Sequence, residues 1–334
     1  MKKLLLVAAA AALLGIPSAW GTVPPSGSST GTGRVFLPNP VAELQNQSLT
    51  DQKDADYAAL QPAYHTVQLT HLDGSGFLHG DYAYIVSETG NPAYSVTNTF
   101  AYNRKQDEFE QVMGYYWITK AQEYIHSLGF GEWRPPVNNE PQDVRINQWG
   151  LDNSFETTHP KDELRFGKGG VDDAEDAEVI LHEYGHAIHE STGFVFATEE
   201  AGAISEGFGD YWAGDVSQLF APTPDPECIA DWDATSYTST VPHCLRRLDE
   251  AKFYPADITG EVHRDGKIWS HALWDIHNAI GNITADTIIL QGQMNFPGTS
   301  MPDLAQRLVA TAQQLYGSNV AAKVRAAFQA RGIL

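Results

Sequence analysis

The stretch VILHEYGHAIHE, residues 179–190, constrains this chain of 334 residues more than any other part of it. It places His182, Glu183 and His186 in the pattern H-E-x-x-H. Residues four apart on a helix lie on one face, so both imidazoles can reach one metal ion, with Glu183 beside them as a general base. The pattern therefore predicts a metal-binding helix, provided that a third ligand exists elsewhere in the chain.

A third ligand is available in the downstream stretch AGAISEGFGDYWAGD, where Glu206 and Asp210 are four apart on a predicted helix. A catalytic zinc ion takes three protein ligands and keeps one position for water. Glu206 can supply the carboxylate ligand, while Asp210 accepts the free ring N–H of a zinc-bound histidine and so orients it. We therefore predict zinc bound by His182, His186 and Glu206.

Charge and hydropathy exclude several kinds of partner. The formal net charge is -21, the sequence pI is about 4.8, and no cluster of Lys and Arg offsets this charge, which disfavours nucleic acid. Residues 1–21 combine Lys2 and Lys3 with a short apolar run, which is typical of a secretory signal peptide. We expect a secreted protein, extracellular or periplasmic, that acts as a monomer and does not insert into a membrane.

Only two cysteines are present, Cys228 and Cys244. In an exported protein two thiols that close a short loop indicate one disulfide, whereas the alternative is a pair of free thiols. The bridge would stiffen a loop rich in Pro, Asp and Ser.

The first half of the chain alternates between strand and helix signals. Residues 22–33 have the composition of a flexible linker, and residues 65–86 predict a β-hairpin around Asp73 to Gly76. Apolar spacing predicts a helix over 107–128, ended by Gly129. Two short strands are predicted at 144–148 and 163–166.

The second half is predicted to be mostly helical. Asp172 with Glu175 forms a capping-box pattern, so we expect the metal-binding helix to begin there and to end near Thr192. The other predicted helices cover residues 201–220, 266–280, 300–316 and 318–330. The fold class is therefore α+β.

We divide the chain into four predicted segments. They are a signal peptide (1–21), a linker or short prosegment (22–50), an N-terminal α/β lobe that includes the zinc helix (51–193), and a mainly helical C-terminal lobe (194–334).

At its motifs the chain resembles the gluzincin zinc metallopeptidases, the thermolysin-like group, and within that group it looks most like the fungalysin family. The motifs are HEYGH, SEGFGD and EVHRDGKIWSHALWD, the last beginning at Glu261. Nineteen residues separate His186 from Glu206, which is similar to the thermolysin spacing. The resemblance implies a two-lobe fold with the zinc helix on the floor of a cleft.

The same resemblance implies further roles. His263 would stabilise the oxyanion, with His271 as the reserve, and Arg246 would grip a substrate carbonyl, with Arg247 as the alternative. Asn153 would lie on the edge strand along which the peptide binds. It also implies a secreted zinc endopeptidase, in which Glu183 takes a proton from a zinc-activated water and passes it to the leaving amine.

Two departures from the family pattern stand out. The thermolysin pattern has a tyrosine eleven residues after the second histidine as an oxyanion donor, and this chain has Ala197 there, after Phe196. The fungalysin family also carries a long inhibitory prosegment, whereas few residues here separate the predicted signal peptide from the first predicted strand. Latency would then be handled differently or be absent.

Three other functions are weighed against an endopeptidase. A metzincin needs a third histidine where this chain has Thr192, which excludes that class. Gluzincin aminopeptidases place their glutamate at the position of Ser205, and the chain has no GxMEN-like string. A non-catalytic binding protein on the same fold would be marked by loss of Glu183 or of a zinc ligand, and none is lost.

Several residues near the motif have simpler interpretations. We expect His189 and Glu190 to face solvent, and His277 to be a packing or surface residue. Gly185 is unfavourable within a helix and indicates close packing against a neighbouring element. An acidic run can stabilise the start of the helix or, alternatively, bind calcium. This run comprises Asp172, Asp173, Glu175, Asp176 and Glu178.

Overall fold

The computed structural model of the protein describes residues 29–86, 89–158 and 161–334. The predicted signal peptide and the first part of the predicted linker lie outside these ranges. The strands are β1 (Ser29–Val35), β2 (His65–Leu72), β3 (Ala83–Ile85), β4 (Thr99–Phe100), β5 (Gln142–Arg145), β6 (Phe155–Thr157), β7 (Glu163–Arg165), β8 (Cys228–Ile229) and β9 (Arg246–Arg247). The helices are α1 (Pro40–Leu44), α2 (Asp107–Ser127), α3 (Ala177–Ser191), α4 (Glu199–Phe220), α5 (Val262–Ile280), α6 (Asn282–Gln293), α7 (Met301–Tyr316) and α8 (Ser318–Ala330).

Two small sheets occupy the first half of the described chain. One has the order β2-β1-β4, and the other has the order β3-β5-β7-β6. In the second sheet β3, β5 and β7 are parallel, while β6 pairs antiparallel to β7 and forms an edge. Helix α2 packs closely on β1, since a Cβ on Gly33 would lie 2.6 Å from a methyl carbon of Val112. These elements form the mixed part of the predicted α+β fold.

Two strand predictions in this region are wrong. Residues 29–33 belong to the predicted flexible linker (22–33), yet they form most of β1, which pairs antiparallel with β2 along its length. The predicted hairpin does not form, because β2 takes β1 as its partner and β3 joins the other sheet beside β5. Around the turn, Leu72 and Gly80 make only an isolated bridge.

Helix α3 begins later than the capping-box pattern predicts. Asp173–Glu175 forms a single 3₁₀ turn, and Asp172 makes no side-chain capping hydrogen bond. Asp176 is extended and its side chain accepts a hydrogen bond from the backbone N–H of Glu178, so it is the residue that caps α3. The first residues of the acidic run therefore precede the helix and pack against other elements.

The remaining helix predictions agree with the structure within a few residues. Helix α6 has no counterpart among them, because its Thr and Ile residues favour a strand as much as a helix. Gly281, with φ +82°, separates it from α5. Among the described residues no helix is both long and apolar enough to cross a membrane.

Helices α3, α4 and α5 pack tightly at glycine contacts, and this packing positions the functional residues. A Cβ on Gly185 of α3 would lie 2.9 Å from the Cα of Gly209 of α4. Gly185 therefore packs closely against a neighbouring element, as the sequence predicts. A Cβ on Gly207 would lie 2.3 Å from the carbonyl oxygen of Gly266 in α5. Side chains at these contacts would force the helices apart.

After α4 the chain forms a loop that is closed by the disulfide between Cys228 and Cys244. The predicted pairing is confirmed. Strand β8 pairs antiparallel with β9 next to the bridge, with Ile229 opposite Arg246. The bridge and the short ladder together hold the loop against α4.

Candidate active site and metal centre

Three predicted metal ligands converge at the interface of α3 and α4. A ligand atom from each of His182, His186 and Glu206 lies within 4.8 Å of the others. The Nε2 atom of His182 is 3.3 Å from Oε2 of Glu206, and Nε2 of His186 is 3.6 Å from Oε1 of the same carboxylate. Two imidazole nitrogens and a carboxylate facing one point are a donor set that suits zinc.

The Nδ1 atoms of the two histidines are held by other side chains. Nδ1 of His182 lies 2.9 Å from Oδ1 of Asp210, and Nδ1 of His186 lies 2.8 Å from the hydroxyl of Ser205. Each ring is thereby oriented, and its Nε2 atom is left toward the common point. The sequence indicated Ser205 only as a difference from the aminopeptidases. Its position next to Glu206 is the signal that could have predicted its role in orienting His186.

Arg246 completes the support of the first histidine. Its Nε donates to both oxygens of Asp210, at 2.8 and 2.7 Å, and its Nη2 lies 3.4 Å from Nδ1 of His182. Burial raises the pKa of Asp210, but Arg246 and His182 outweigh this effect and hold it below its usual value. The aspartate is therefore ionised and able to accept from the imidazole.

Burial and local charge set the protonation of the three predicted metal ligands. Burial raises the pKa of Glu206, but the neighbouring His182, His186 and His263 together lower it by more. The pKa of Glu206 is therefore below its usual range. Burial lowers the pKa of His182, yet Asp210 and Glu206 raise it to about 10, whereas burial lowers the pKa of His186 to about 4. Zinc binds only neutral imidazole, so metal binding would release the proton of His182.

Glu183 lies between the two histidines in sequence and lines the same cavity. Its side chain is buried, and this burial raises its pKa to about 7 against the opposing charges of His182, Arg246 and His263. The carboxylate thus lines the same cavity as the predicted metal ligands without being one of the three converging groups.

His263 is placed at the open side of the same site. It lies in the first turn of α5, its side chain is 54% exposed, and its Nε2 is 3.5 Å from Oε2 of Glu206. Its Nδ1 is 2.7 Å from the carboxylate of Glu261, the residue that caps α5. This pair aims Nε2 toward the metal centre, whereas His271, the reserve candidate, bonds the carbonyl of Glu250.

The two predicted substrate-binding residues also line the cavity. Arg246 does so while it pairs with Asp210, and Asn153 does so just before the edge strand β6. Arg247, the alternative to Arg246, pairs instead with Asp225 and Asp249 at 3.0 and 2.7 Å.

The prediction that His189 faces solvent is wrong. His189 is fully buried, with Nδ1 3.0 Å from the hydroxyl of Ser205 and Nε2 3.0 Å from Gln293. Its ring stacks on Phe194 and on Phe208. Burial lowers the pKa of His189 to about 3, so it is a neutral packing residue behind His186.

Other residues near the motif agree with their sequence interpretation. Glu190 is exposed, and His277 packs against Trp274 with its Nδ1 2.7 Å from Asp215. Ala197, at the position of the missing tyrosine, is exposed, while Phe196 lines the cavity.

The cavity that contains these residues has a volume of about 640 Å³. It continues from the metal centre to carboxylates that the sequence analysis did not assign to the site, namely Asp152, Asp173 and Asp233. An oxygen of each lies within 4.8 Å of the others. These residues belong to separate loops, so no local spacing could have predicted their convergence.

Comparison with known proteins is consistent with this geometry. The structure of the precursor of protealysin, a metalloproteinase from Serratia proteamaculans, superposes on this chain with a TM-score of 0.56 and 17% identity. The match covers 90% of this chain and 99% of the other. The fold is therefore that of a thermolysin-like metalloprotease, as predicted.

Sequence comparison narrows the resemblance. Residues 168–284 match the family model of the fungalysin metallopeptidases. A gelatinase of Enterococcus faecalis is 24% identical over 176 residues, which cover 48% of this chain and 34% of the relative. The neutral protease NprE of Bacillus pumilus is 25% identical over 173 residues, which cover 47% of this chain and 54% of the relative.

The chain thus spans about a third to a half of the length of these two curated relatives. The predicted resemblance to the thermolysin-like metallopeptidases, and within them to the fungalysin family, is confirmed.

Proposed function

We propose that this protein is a secreted zinc-dependent endopeptidase. One observation carries the proposal: the imidazoles of His182 and His186 and the carboxylate of Glu206 converge, with the buried Glu183 beside them, in a cavity that is open to substrate. The match of residues 168–284 to a metallopeptidase family supports the same reaction class.

Zinc held by His182, His186 and Glu206 would polarise the substrate carbonyl and lower the pKa of a water molecule to about 7. Glu183 takes the proton of the attacking water and later delivers it to the leaving amine. Glu183 lines the same cavity as His182 and His186, so its carboxylate faces the space in which both transfers would occur.

His263 and Arg246 contribute positive charge and hydrogen-bond donors to the same cavity. Nε2 of His263 faces the carboxylate of Glu206 from the exposed side, where the carbonyl oxygen of a bound peptide gains negative charge. Arg246 keeps Asp210 ionised and so fixes the ring of His182. We assign His263 to the oxyanion and Arg246 to substrate and histidine positioning.

The substrate is a polypeptide bound in extended form. Strand β6 is an edge strand of its sheet, and Asn153 precedes it at the wall of the cavity. An extended peptide can add to the edge of a sheet as another strand. Two features favour secretion: the N-terminal sequence is typical of a signal peptide, and the chain has a disulfide. Calcium binding and a monomeric state stay predictions.

The variant Glu183→Gln tests the reaction directly. It keeps the shape of the side chain and removes the proton acceptor, so we expect zinc to stay at the wild-type level while hydrolysis of casein is lost. Zinc is measured by elemental analysis, and cleavage is measured with and without a chelator. Glu190→Gln, which changes an exposed glutamate on the same helix, is the matched control and should keep both zinc and activity.

Turnover of casein by Glu183→Gln at the wild-type rate would rule out Glu183 as the base. Zinc in the wild-type protein without any chelator-sensitive cleavage would instead favour a non-catalytic binding protein on this fold.

A further inference from the structure

A group of three aspartates lines the part of the cavity that the reaction does not use. Asp152 precedes β6, Asp173 begins the 3₁₀ turn before α3, and Asp233 begins a second 3₁₀ turn within the loop closed by the disulfide. We call these residues the aspartate triad. An oxygen from each lies within 4.8 Å of the others, and all three residues line the cavity.

Two of these aspartates are buried, and one oxygen of each has no partner among the described residues. Asp173 is 2% exposed and Asp233 is 3% exposed, and Oδ1 of each accepts no hydrogen bond from residues 29–86, 89–158 or 161–334. Other oxygens of the triad accept hydrogen bonds from hydroxyl groups: Ser154 donates to Oδ2 of Asp173, and Tyr237 donates to Oδ1 of Asp152. The unpartnered oxygens therefore represent binding capacity that this chain does not satisfy.

Within the part of the chain that the structure describes, no basic side chain forms an ion pair with the triad. Among the described residues, no Lys, Arg or His lies within 4.0 Å of these carboxylates, and the nearby Arg246 is engaged by Asp210. Burial raises the pKa of Asp173 to about 7, and it raises the pKa of Asp233 well above its usual value, with the neighbouring aspartates adding to the effect. A cation in the cavity would relieve this repulsion.

The walls of the cavity suit the stem of a basic side chain. Val179, Ile229 and Leu245 line the cavity together with the triad. Lysine and arginine lay their methylene groups along apolar surface and place the charged head among carboxylates. The overall charge of -21 also attracts basic segments of a polypeptide.

A divalent cation is less well matched to this place. Calcium takes six to eight oxygen ligands, whereas two of the three carboxylates already accept from hydroxyl groups. The triad also shares its cavity with Glu183, whose charge contributes to the raised pKa of Asp173, so it lies where a residue next to the scissile bond would enter.

We propose that the aspartate triad is a specificity pocket, which directs cleavage to peptide bonds next to lysine or arginine. This inference rests on the proposed peptidase function and adds the class of side chain that the enzyme selects.

The test uses the full chain loaded with zinc and quenched peptides that differ at one position beside the scissile bond. Lysine and arginine are compared with norleucine, which has the stem of lysine without its charge, and with glutamate. We expect kcat/KM to be about 10- to 100-fold higher for the basic peptides than for norleucine, in line with charge-assisted hydrogen bonds in a buried site. Mapping of casein fragments by mass spectrometry should show the same preference.

Asp233→Asn and Asp152→Asn should each bring the ratio of lysine to norleucine cleavage toward one. The second variant lies at a partly exposed position, so it keeps the test decisive if the first fails to fold. Glu132→Gln removes one exposed carboxylate that does not line the cavity and should keep the wild-type ratio. Equal cleavage of lysine and norleucine peptides by the wild-type enzyme would overturn the proposal.

Two further arms separate this proposal from its alternatives. Binding of lysine and norleucine peptides to Glu183→Gln, measured by calorimetry, reports the preference even when no hydrolysis occurs. Casein cleavage without a preference for basic residues would support the proposed peptidase function and overturn the proposed specificity pocket. Calcium that raises the Tm of the wild type but not of Asp233→Asn, and that abolishes the lysine preference, would make the triad a cation site and also overturn the proposal.

Discussion

The metal centre and the aspartate triad both place buried carboxylates in one cavity, and they differ in what surrounds those carboxylates. Glu206 and Asp210 face His182, His186 and Arg246, and their pKa values are below the usual range. Among the described residues, neither Asp173 nor Asp233 forms an ion pair with a basic side chain, and burial raises their pKa values although Arg246 opposes this effect at Asp233. Burial raises the pKa of the carboxyl group in both places, so the neighbouring charges decide which group stays ionised.

This difference indicates what each region does. The metal centre is compensated from within the chain and is preorganised for a metal ion, because Asp210 and Ser205 already orient the histidines. The triad is left for a positive charge that comes from outside. We therefore see one region as built for the reaction and the other as built for selection.

Removing a ligand of the metal centre should have the largest effect. Glu206→Gln replaces the ionised carboxylate by a neutral amide, so we expect the zinc content to fall far below one ion per chain. The loss of several kcal/mol of charge stabilisation should lower casein hydrolysis by about 10³-fold or more. Elemental analysis and an activity assay check both. Glu199→Gln, an exposed change in the first turn of the same helix, should leave both unchanged.

The aspartate triad should affect how the free energy of unfolding depends on pH. The folded pKa of Asp173 is about 7, above the unfolded value of 3.8, so this group contributes stability that is lost as pH rises toward 7. Asp173→Asn removes that loss. Relative to wild type, its free energy of unfolding should therefore rise by about 2 to 3 kcal/mol between pH 5 and pH 8.

Urea unfolding of both proteins at the two pH values measures this gap, and the comparison cancels the zinc release that both proteins share. A gap that stays constant, or that narrows at pH 8, would contradict the raised pKa and the lack of compensation in the triad.

A smaller effect is expected where one support of the metal centre is removed. Asp210→Asn leaves the three ligands in place but weakens the orientation of His182, so zinc affinity should fall by about 10- to 100-fold. Competition with a chelator measures the dissociation constant. Asp249→Asn, which removes a partner of Arg247 outside the cavity, is the control. Wild-type affinity in Asp210→Asn would mean that Arg246 and the fold orient the histidine without the aspartate.

Helical features were largely predictable because they depend on residues close in sequence. Apolar periodicity with start and stop signals predicted α2, α4, α7 and α8 within a few residues. The burial of His189 was also within reach, since it lies seven residues after His182 and hence on the same helix face. The pairing of β1 with β2 could not be predicted. The Ser, Thr and Gly residues of β1 show no hydrophobic alternation, and long-range contacts decide its partner.

The sequence by itself predicted the metal ligands and the base, and it carried the resemblance to a metallopeptidase family, because the four-residue spacing of His182 and His186, repeated by Glu206 and Asp210, has geometric meaning on any helix. Only the tertiary structure decided that Arg246 pairs with Asp210 and that Asp152, Asp173 and Asp233 share a cavity. These groups come from separate loops, and their approach depends on the packing of α3 against α4 and on the loop that the disulfide closes. Local spacing carries no information about such contacts.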